Sequence, residues 1–420
     1  MAADAVDISL AQGRIQGFCT PEFSGVLEAF QRNFAAGQEV GASVCVRIAG
    51  KVAVDLWGGF MDEGRTQPWR DDTVSIVYSC TKGATALCAH LLAERGLLDY
   101  DAPVSRYWPE FARHGKEAVT VRMMLDHSAG VPALRDPVKP NGMYDWDYMV
   151  ERLAAEQPFW PPGTRNGYHG LTFGWTVGEL VRRISGKSLG QFFQDEIAQP
   201  LGIDFWIGLP EEIETPVAPI VRHVWPKDKE LTPFLKAMIG EPKSLPSLFF
   251  VNTGGYMPGG VNTREGHAAE IGAANGITNA RGLSGMYAPL AAGGGKFVSA
   301  GRLAEMSRVS MATHDDATLM IPTRFALGFM KSMDNRRRSA GARILGPHID
   351  SVLLGEQAFG HVGAGGSIGF ADPECGLAFA YTMNQMGPGL LLNERGQALV
   401  DAAYRALGYA GNESGVWRRG

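Results

Sequence analysis

The chain has 420 residues, 45% of them hydrophobic and 20% charged, with a net charge of −5. That length allows two or three domains and an ample core, and the mildly acidic balance opposes binding to a phosphate backbone. No apolar run reaches the roughly 18 residues that cross a membrane, and Met1 to Phe18 lacks an apolar core of secretory length, so a soluble cytoplasmic protein is expected.

In chain order, a helix is expected near Pro21 to Ala35, followed by a hairpin whose arms are Ala42 to Ile48 and Val52 to Trp57 around Ala49-Gly50-Lys51. A strand-like run, Val74 to Tyr78, hands over to a helix with apolar residues at Ala84, Leu87, Cys88, Leu91 and Leu92, stopped at Arg95-Gly96. From about Asp101 to Pro200 the pattern is helical, including a helix near Leu171 to Ser185 closed by Gly186. Residues 203 to 262 show little periodicity and many aromatics (Phe205, Trp206, Trp225, Phe234, Phe249, Phe250, Tyr256), as in a long insertion that walls a pocket. A helix near Arg281 to Ala292 ends at three glycines. Strands then follow at Ala358 to Val362, Ser367 to Ala371 and Leu377 to Met383, and a helix from about Asn393 to Leu407.

Strands at both ends with helices between them predict an α/β (α+β) fold, one antiparallel sheet built from both termini. The expected division is a sheet domain of residues 1–100 and 300–420 and a helical domain of residues 101–299. The five cysteines (Cys19, Cys45, Cys80, Cys88, Cys375) are odd in number and lack the paired spacing of disulfide frameworks or zinc sites. Arg336-Arg337-Arg338 is too short a basic run to be more than a solvated turn.

Ser79-Cys80-Thr81-Lys82 carries the chemistry. A serine alcohol is a poor nucleophile near neutral pH and needs a neighbouring base. Placed at the start of a helix, Ser79 would have Lys82 one turn on along the same face, and the helix dipole would favour negative charge beside it.

This element resembles the Ser-x-x-Lys signature of the serine β-lactamase and penicillin-binding-protein superfamily. Val121 to Val131, with Leu125-Asp126-His127-Ser128-Ala129-Gly130, is similar to the LLxHxSG stretch of class C enzymes and related esterases. Tyr168-His169-Gly170 sits where they carry Tyr-x-Asn, and His361-Val362-Gly363 where they carry Lys-Thr-Gly, a position at which family VIII carboxylesterases often have His-x-Gly. The resemblance spans roughly residues 40 to 385.

It implies Ser79 as nucleophile, with Lys82 and Tyr168 forming the base. An ammonium beside a phenol would lower the tyrosine pKa while burial disfavours the lysine charge, so either could be the formal base. The Gly- and Asn-rich loop around Tyr168 suggests an exposed, aimed side chain. A strand edge from His361 would set the Ala364 N–H opposite the Ser79 N–H as an oxyanion hole, with Gly363 allowing close approach. His361 would offer a substrate carboxylate a weak or neutral contact in place of lysine.

Two departures bear on substrate. Gly170 removes the amide that holds a lactam's acylamino group, and His361 removes a fixed cation, so the resemblance implies a carboxylesterase acting on short- to medium-chain esters, with weak or absent lactam hydrolysis. A lactamase, a D-amino-acid peptidase or amidase, a transacylase and a non-catalytic binding protein are the alternatives. No metal or organic cofactor, nucleic acid or membrane partner is implied, and a small-molecule ester is the expected partner.

Two other motifs fail on context. Gly365-Gly366-Ser367-Ile368-Gly369 fits a nucleophile elbow, but a β-rich run follows and no histidine lies downstream. Gly186-Lys187-Ser188 lacks the upstream glycine of a phosphate loop, since Val181 stands there.

Overall fold

A computed structural model describes residues 4–214, 216–224, 231–257, 259–336 and 350–420. Trp225, Arg337 and Arg338 lie outside the described residues. The chain opens with a strand pair, β1 (Asp4–Leu10) and β2 (Gly13–Cys19), which the sequence reading did not anticipate although Val6, Ile8 and Leu10 alternate ahead of Gly13. Helix α1 (Ser24–Ala35) follows, then β3 (Gly41–Ile48) and β4 (Lys51–Gly59) as the expected hairpin. Next come β5 (Val74–Ile76) and α2 (Thr81–Glu94), and then the helices α3 (Val121–Leu125), α4 (Trp146–Ala155), α5 (Phe173–Ser185), α6 (Leu189–Phe193) and α7 (Gln199–Leu201).

Residues 203–262 are more ordered than their composition suggests. They hold β6 (Phe205–Trp206), β7 (Val217–Ala218), α8 (Pro233–Gly240) and α9 (Leu245–Phe250), and both helices start on a side-chain cap, Thr232 and Ser244, with proline in the first turn. After α10 (Arg264–Ala268) come β8 (Ile277–Thr278), α11 (Ala280–Ala291), α12 (Ala300–Ser307) and the pair β9 (Met311–Thr313) and β10 (Thr323–Phe325). The expected C-terminal elements are β11 (Phe359–Val362), β12 (Ile368–Asp372), β13 (Leu377–Met383) and α13 (Glu394–Ala406).

Among the described residues the main sheet is seven-stranded, in the order β1-β2-β4-β3-β13-β12-β11, and antiparallel throughout. The two chain ends meet where β3 pairs with β13, Val44 opposite Tyr381 and Val46 opposite Phe379. Side chains alternate between faces along these strands, and the residue sizes alternate with them. Large residues (Val44, Val46, Leu377, Phe379, Tyr381) pack with Phe30 and Phe34 of α1 and Leu399 and Tyr404 of α13. Each such side chain stabilises the fold by about 1.5–3 kcal/mol on burial.

The opposite face carries Cys45, Ala378, Ala380 and Gly369, and there α11, from within the 101–299 stretch, packs across β3, β12 and β13. A methyl group at Gly369 would come within 2.6 Å of Leu283 Cγ on α11. Among the described residues no helix is long and apolar enough to cross a membrane. A Gly369→Ala variant is expected to lose about 1–3 kcal/mol of stability by wedging α11 off the sheet, seen as a lower urea midpoint with an unchanged m-value.

Candidate active site

A second sheet, in the order β6-β8-β5-β7, delivers the serine. β5 ends at Ile76, and the chain turns into α2 through three hydrogen bonds: Val77 N–H to Gly276 O (2.9 Å), Cys80 N–H to Val77 O (3.1 Å) and Thr81 N–H to Tyr78 O (2.9 Å). Tyr78 takes φ 43°, a left-handed conformation that a bulky residue keeps only when its surroundings impose it. The helix starts at Thr81 with Cys80 as its cap, so Ser79 lies just ahead of α2 rather than in its first turn. Cys80 points elsewhere, its Sγ donating to His361 O at 3.3 Å, and burial pushes its thiol up.

Lys82 is completely buried. Its Nζ lies 3.0 Å from Ser79 Oγ, 2.6 Å from Gly170 O and 2.9 Å from Ala273 O, and none of the three is an anion. Burial therefore holds the amine well below the ordinary lysine range. A neutral amine has two N–H groups and one lone pair. The two carbonyls take the N–H groups, which leaves the lone pair facing the Ser79 hydroxyl.

Tyr168 is brought to the same place, but buried (4% exposed) rather than exposed as its loop composition suggests. Its backbone N–H donates to both carboxylate oxygens of Asp316, at 3.0 and 3.1 Å, and its ring stacks on Phe325. The loop is further held by His127, at φ 67°, whose Nδ1 accepts the His169 N–H at 3.1 Å. Lys82 Nζ stands over the ring face, 4.7 Å from its centre. Of the two forms expected for the base, a phenolate beside an ammonium or a lysine whose charge burial disfavours, the surroundings favour the second. Burial holds the amine well below its usual range and pushes the phenol well above its own, with the Ser79 hydroxyl pulling the phenol the other way.

His361 also departs from expectation. It is 1% exposed and sits behind Tyr168, ring centres 6.0 Å apart, off the wall of the cavity. Its Nδ1 donates to Val362 O at 2.7 Å, and burial, reinforced by Lys82, brings its pKa down to about 3. The contact with a substrate carboxylate proposed from the sequence is not available to it. Gly363 N–H donates to Ser367 O at 2.7 Å, and a side chain there would strike Val77 O, so glycine lets β11 end against the serine turn. Among the described residues neither the Ser79 N–H nor the Ala364 N–H has a hydrogen-bond acceptor.

Ser79, Tyr168 and Ala364 open into one cavity of about 300 Å³, whose wall beyond them is largely apolar and includes Phe234, Met238, Phe249 and Phe250 from α8 and α9. A Cβ at Gly170 would run into the Phe249 ring, so Phe249 occupies the space a side chain at 170 would need. Phe249, Phe234 and Phe250 line the pocket as the aromatic-rich stretch suggested, whereas Asp316 and the carbonyls of Gly170 and Ala273 escaped the sequence reading. Only Asp316 carried a local signal, an acid whose Oδ1 accepts the Thr318 and Leu319 N–H groups in a turn, both at 2.9 Å. Ser367 Oγ is fully buried and does not reach the cavity. Among the described residues no three His, Cys, Asp or Glu side chains converge on a metal position.

The family model described as Beta-lactamase matches residues 28–404. The chain is 36% identical over 395 residues, 91% of its length and 85% of that protein's, to "Esterase/beta-lactamase LipL" of Mycobacterium tuberculosis. Its structure is similar to that of a family VIII carboxylesterase (TM-score 0.79, 40% identity, 93% of this chain and 99% of that one). It is also similar to a penicillin-binding-protein homolog from Caulobacter crescentus (TM-score 0.78, 34% identity, 93% and 99%).

Between the lowered Lys82 pKa and the unfolded value near 10.4, the unfolded chain holds one proton more than the folded chain at this site. The site's contribution to stability therefore rises with pH across that window. Side-chain NMR should find the Lys82 amine losing its proton well below the ordinary lysine range, and an amine that titrates as an ordinary lysine would contradict the assignment.

Proposed function

Because the chain belongs to the β-lactamase family, we propose that it is a carboxylesterase cleaving esters of short to medium acyl chain through a serine acyl-enzyme, with lactam opening weak or absent. The observation that carries this reading is the 3.0 Å approach of a buried, three-coordinated Lys82 amine to Ser79 at the mouth of an apolar cavity.

Ser79 Oγ attacks the ester carbonyl carbon as its proton passes to the Lys82 lone pair. The carbonyl oxygen, gaining charge, is received by the N–H groups of Ser79 and Ala364. Collapse of the tetrahedral species breaks the bond to the leaving oxygen, and the proton held by Lys82 goes to that alkoxide, with the neutral Tyr168 hydroxyl as donor and acceptor between them. Water then attacks the acyl-enzyme carbonyl carbon, giving a proton to Lys82, and as the second tetrahedral species collapses the bond to Ser79 Oγ breaks, that proton passes from Lys82 to Ser79 Oγ and the acid leaves.

The acyl part is assigned to the wall of α8 and α9, where aliphatic and aromatic surface is removed from water. Lactam recognition is disfavoured twice. Phe249 fills the space beside Gly170, and the buried neutral His361 supplies no cation. Similarity to proteins named as esterases supports the ester assignment.

Ser79→Ala should reduce p-nitrophenyl butyrate hydrolysis by about 10³-fold or more and abolish fluorophosphonate labelling seen by mass spectrometry, while Ser367→Ala keeps most of the activity. The reverse pattern would move the nucleophile.

On a panel of chain-length-varied esters, a cephalosporin and a D-alanyl amide, the esters should turn over fastest, and a faster cephalosporin would overturn the assignment. Activity needs the unprotonated amine, so kcat/KM should fall as pH drops through the lowered Lys82 pKa and be level above it, and a profile still rising through the ordinary lysine range would count against the role.

A further inference from the structure

The residue after Ala364 is held unusually firmly. Gly365 O accepts hydrogen bonds from Asn393 Nδ2 at 2.7 Å, Arg395 Nη2 at 2.9 Å and the Gly387 N–H at 2.9 Å. A carbonyl has two lone pairs, so three donors over-determine its direction. Arg395 gives three further N–H groups to Gln38 O (2.7 Å), Gln385 O (2.8 Å) and Glu39 Oε2 (2.8 Å), and the other Glu39 oxygen accepts the Tyr381 hydroxyl. Arg395 is 4% exposed and Glu39 not at all. A buried ion pair loses in desolvation much of what it gains in attraction, so its contribution to stability is a weak reason for its presence. What it aims at is a stronger one.

The segment it aims at is a tight turn in which the Gly366 N–H donates to Gly363 O at 3.1 Å, with Ala364 and Gly365 in the middle. Gly365 and Gly366 lie at φ 88° and 121°, where glycine has no side chain to stop its peptide planes from rotating. The clamp supplies that stop. It also dictates glycine on both sides, since a Cβ at Gly366 or Gly387 would strike Asn393 Nδ2.

We propose that Asn393 and Arg395, the latter oriented by Glu39, are positioning residues that fix the Gly363–Gly366 turn and so keep the Ala364 N–H directed at the oxygen on which charge develops. This rests on the reading of Ala364 as an oxyanion donor given above. The connection between α1 and β3 and the start of α13, drawn from opposite ends of the chain, thereby act on the rate of acyl transfer without touching substrate.

The test compares p-nitrophenyl butyrate with its thiono ester, whose C=S sulfur is a poor acceptor, so an aligned donor pair gives a high oxygen-to-sulfur rate ratio. Arg395→Met, Glu39→Gln and Asn393→Ser are measured, the last keeping a cap for α13 but too short to reach Gly365 O. The expected result is a fall in kcat of about tenfold or more with KM little changed, and contraction of the oxygen-to-sulfur ratio by a similar factor.

A merely structural role would lower the unfolding midpoint and leave that ratio alone, and folded variants behaving so overturn the proposal. Asn393→Ser leaves the ion pair intact and decides the matter if the charge variants do not fold. Ala364→Pro, which deletes the N–H, separates the two readings. An unchanged ratio there removes Ala364 as a donor and the proposal with it. A contracted ratio there beside unchanged clamp variants removes the positioning role alone.

Discussion

The structure turns on the desolvation of one amine. Lys82 is buried among uncharged partners, and the cost of a charge there holds its amine well below the ordinary lysine range. Everything nearby maintains that state. The Gly170 and Ala273 carbonyls absorb its two N–H groups, the Tyr168 ring closes one side, and His127, His169 and His361 around that ring are themselves held neutral by burial. A carboxylate in this shell would pair with the lysine and cancel the effect. Asp316, the acid that holds the Tyr168 backbone, instead spends its oxygens on backbone N–H groups and Thr323.

Holding such a cluster requires three separately anchored pieces to converge. The serine turn comes from β5 and α2, the tyrosine loop from the stretch after α3, and the Ala364 turn from the end of β11. Cys80 bonding to His361 O ties the first to the third, and Gly170 O bonding to Lys82 ties the second to the first. The sheet that joins both chain termini is the rigid body on which the third piece is carried, which is why its faces alternate large and small residues so regularly.

The strands β3, β4, β5, β11, β12 and β13 and the helices α1, α2, α5, α11 and α13 could be read from periodicity and stop signals, whereas β6 to β10 are too short to show a pattern. The Ser79–Lys82 spacing was legible because the turn into α2 keeps a helical three-residue step, the Lys82 N–H donating to Ser79 O at 3.1 Å. What failed depended on tertiary placement. The burial of Tyr168 could not be inferred from a glycine- and asparagine-rich loop, because Asp316, nearly 150 positions away, draws its backbone inward. His361 was read as facing the substrate because a strand-end histidine has two faces and the sequence does not say which is covered. The aromatic-rich stretch looked irregular because α8 and α9 are too short to display a period, though their caps at Thr232 and Ser244 were there to see.

Phe249 and Gly170 share one volume, and that has a consequence for how such enzymes diverge. A larger residue at 170 has no room while the ring is present, and removing the ring alone leaves a void that no side chain fills. Either change by itself therefore costs packing, and positions 170 and 249 are coupled so that a side chain at the first needs a smaller residue at the second.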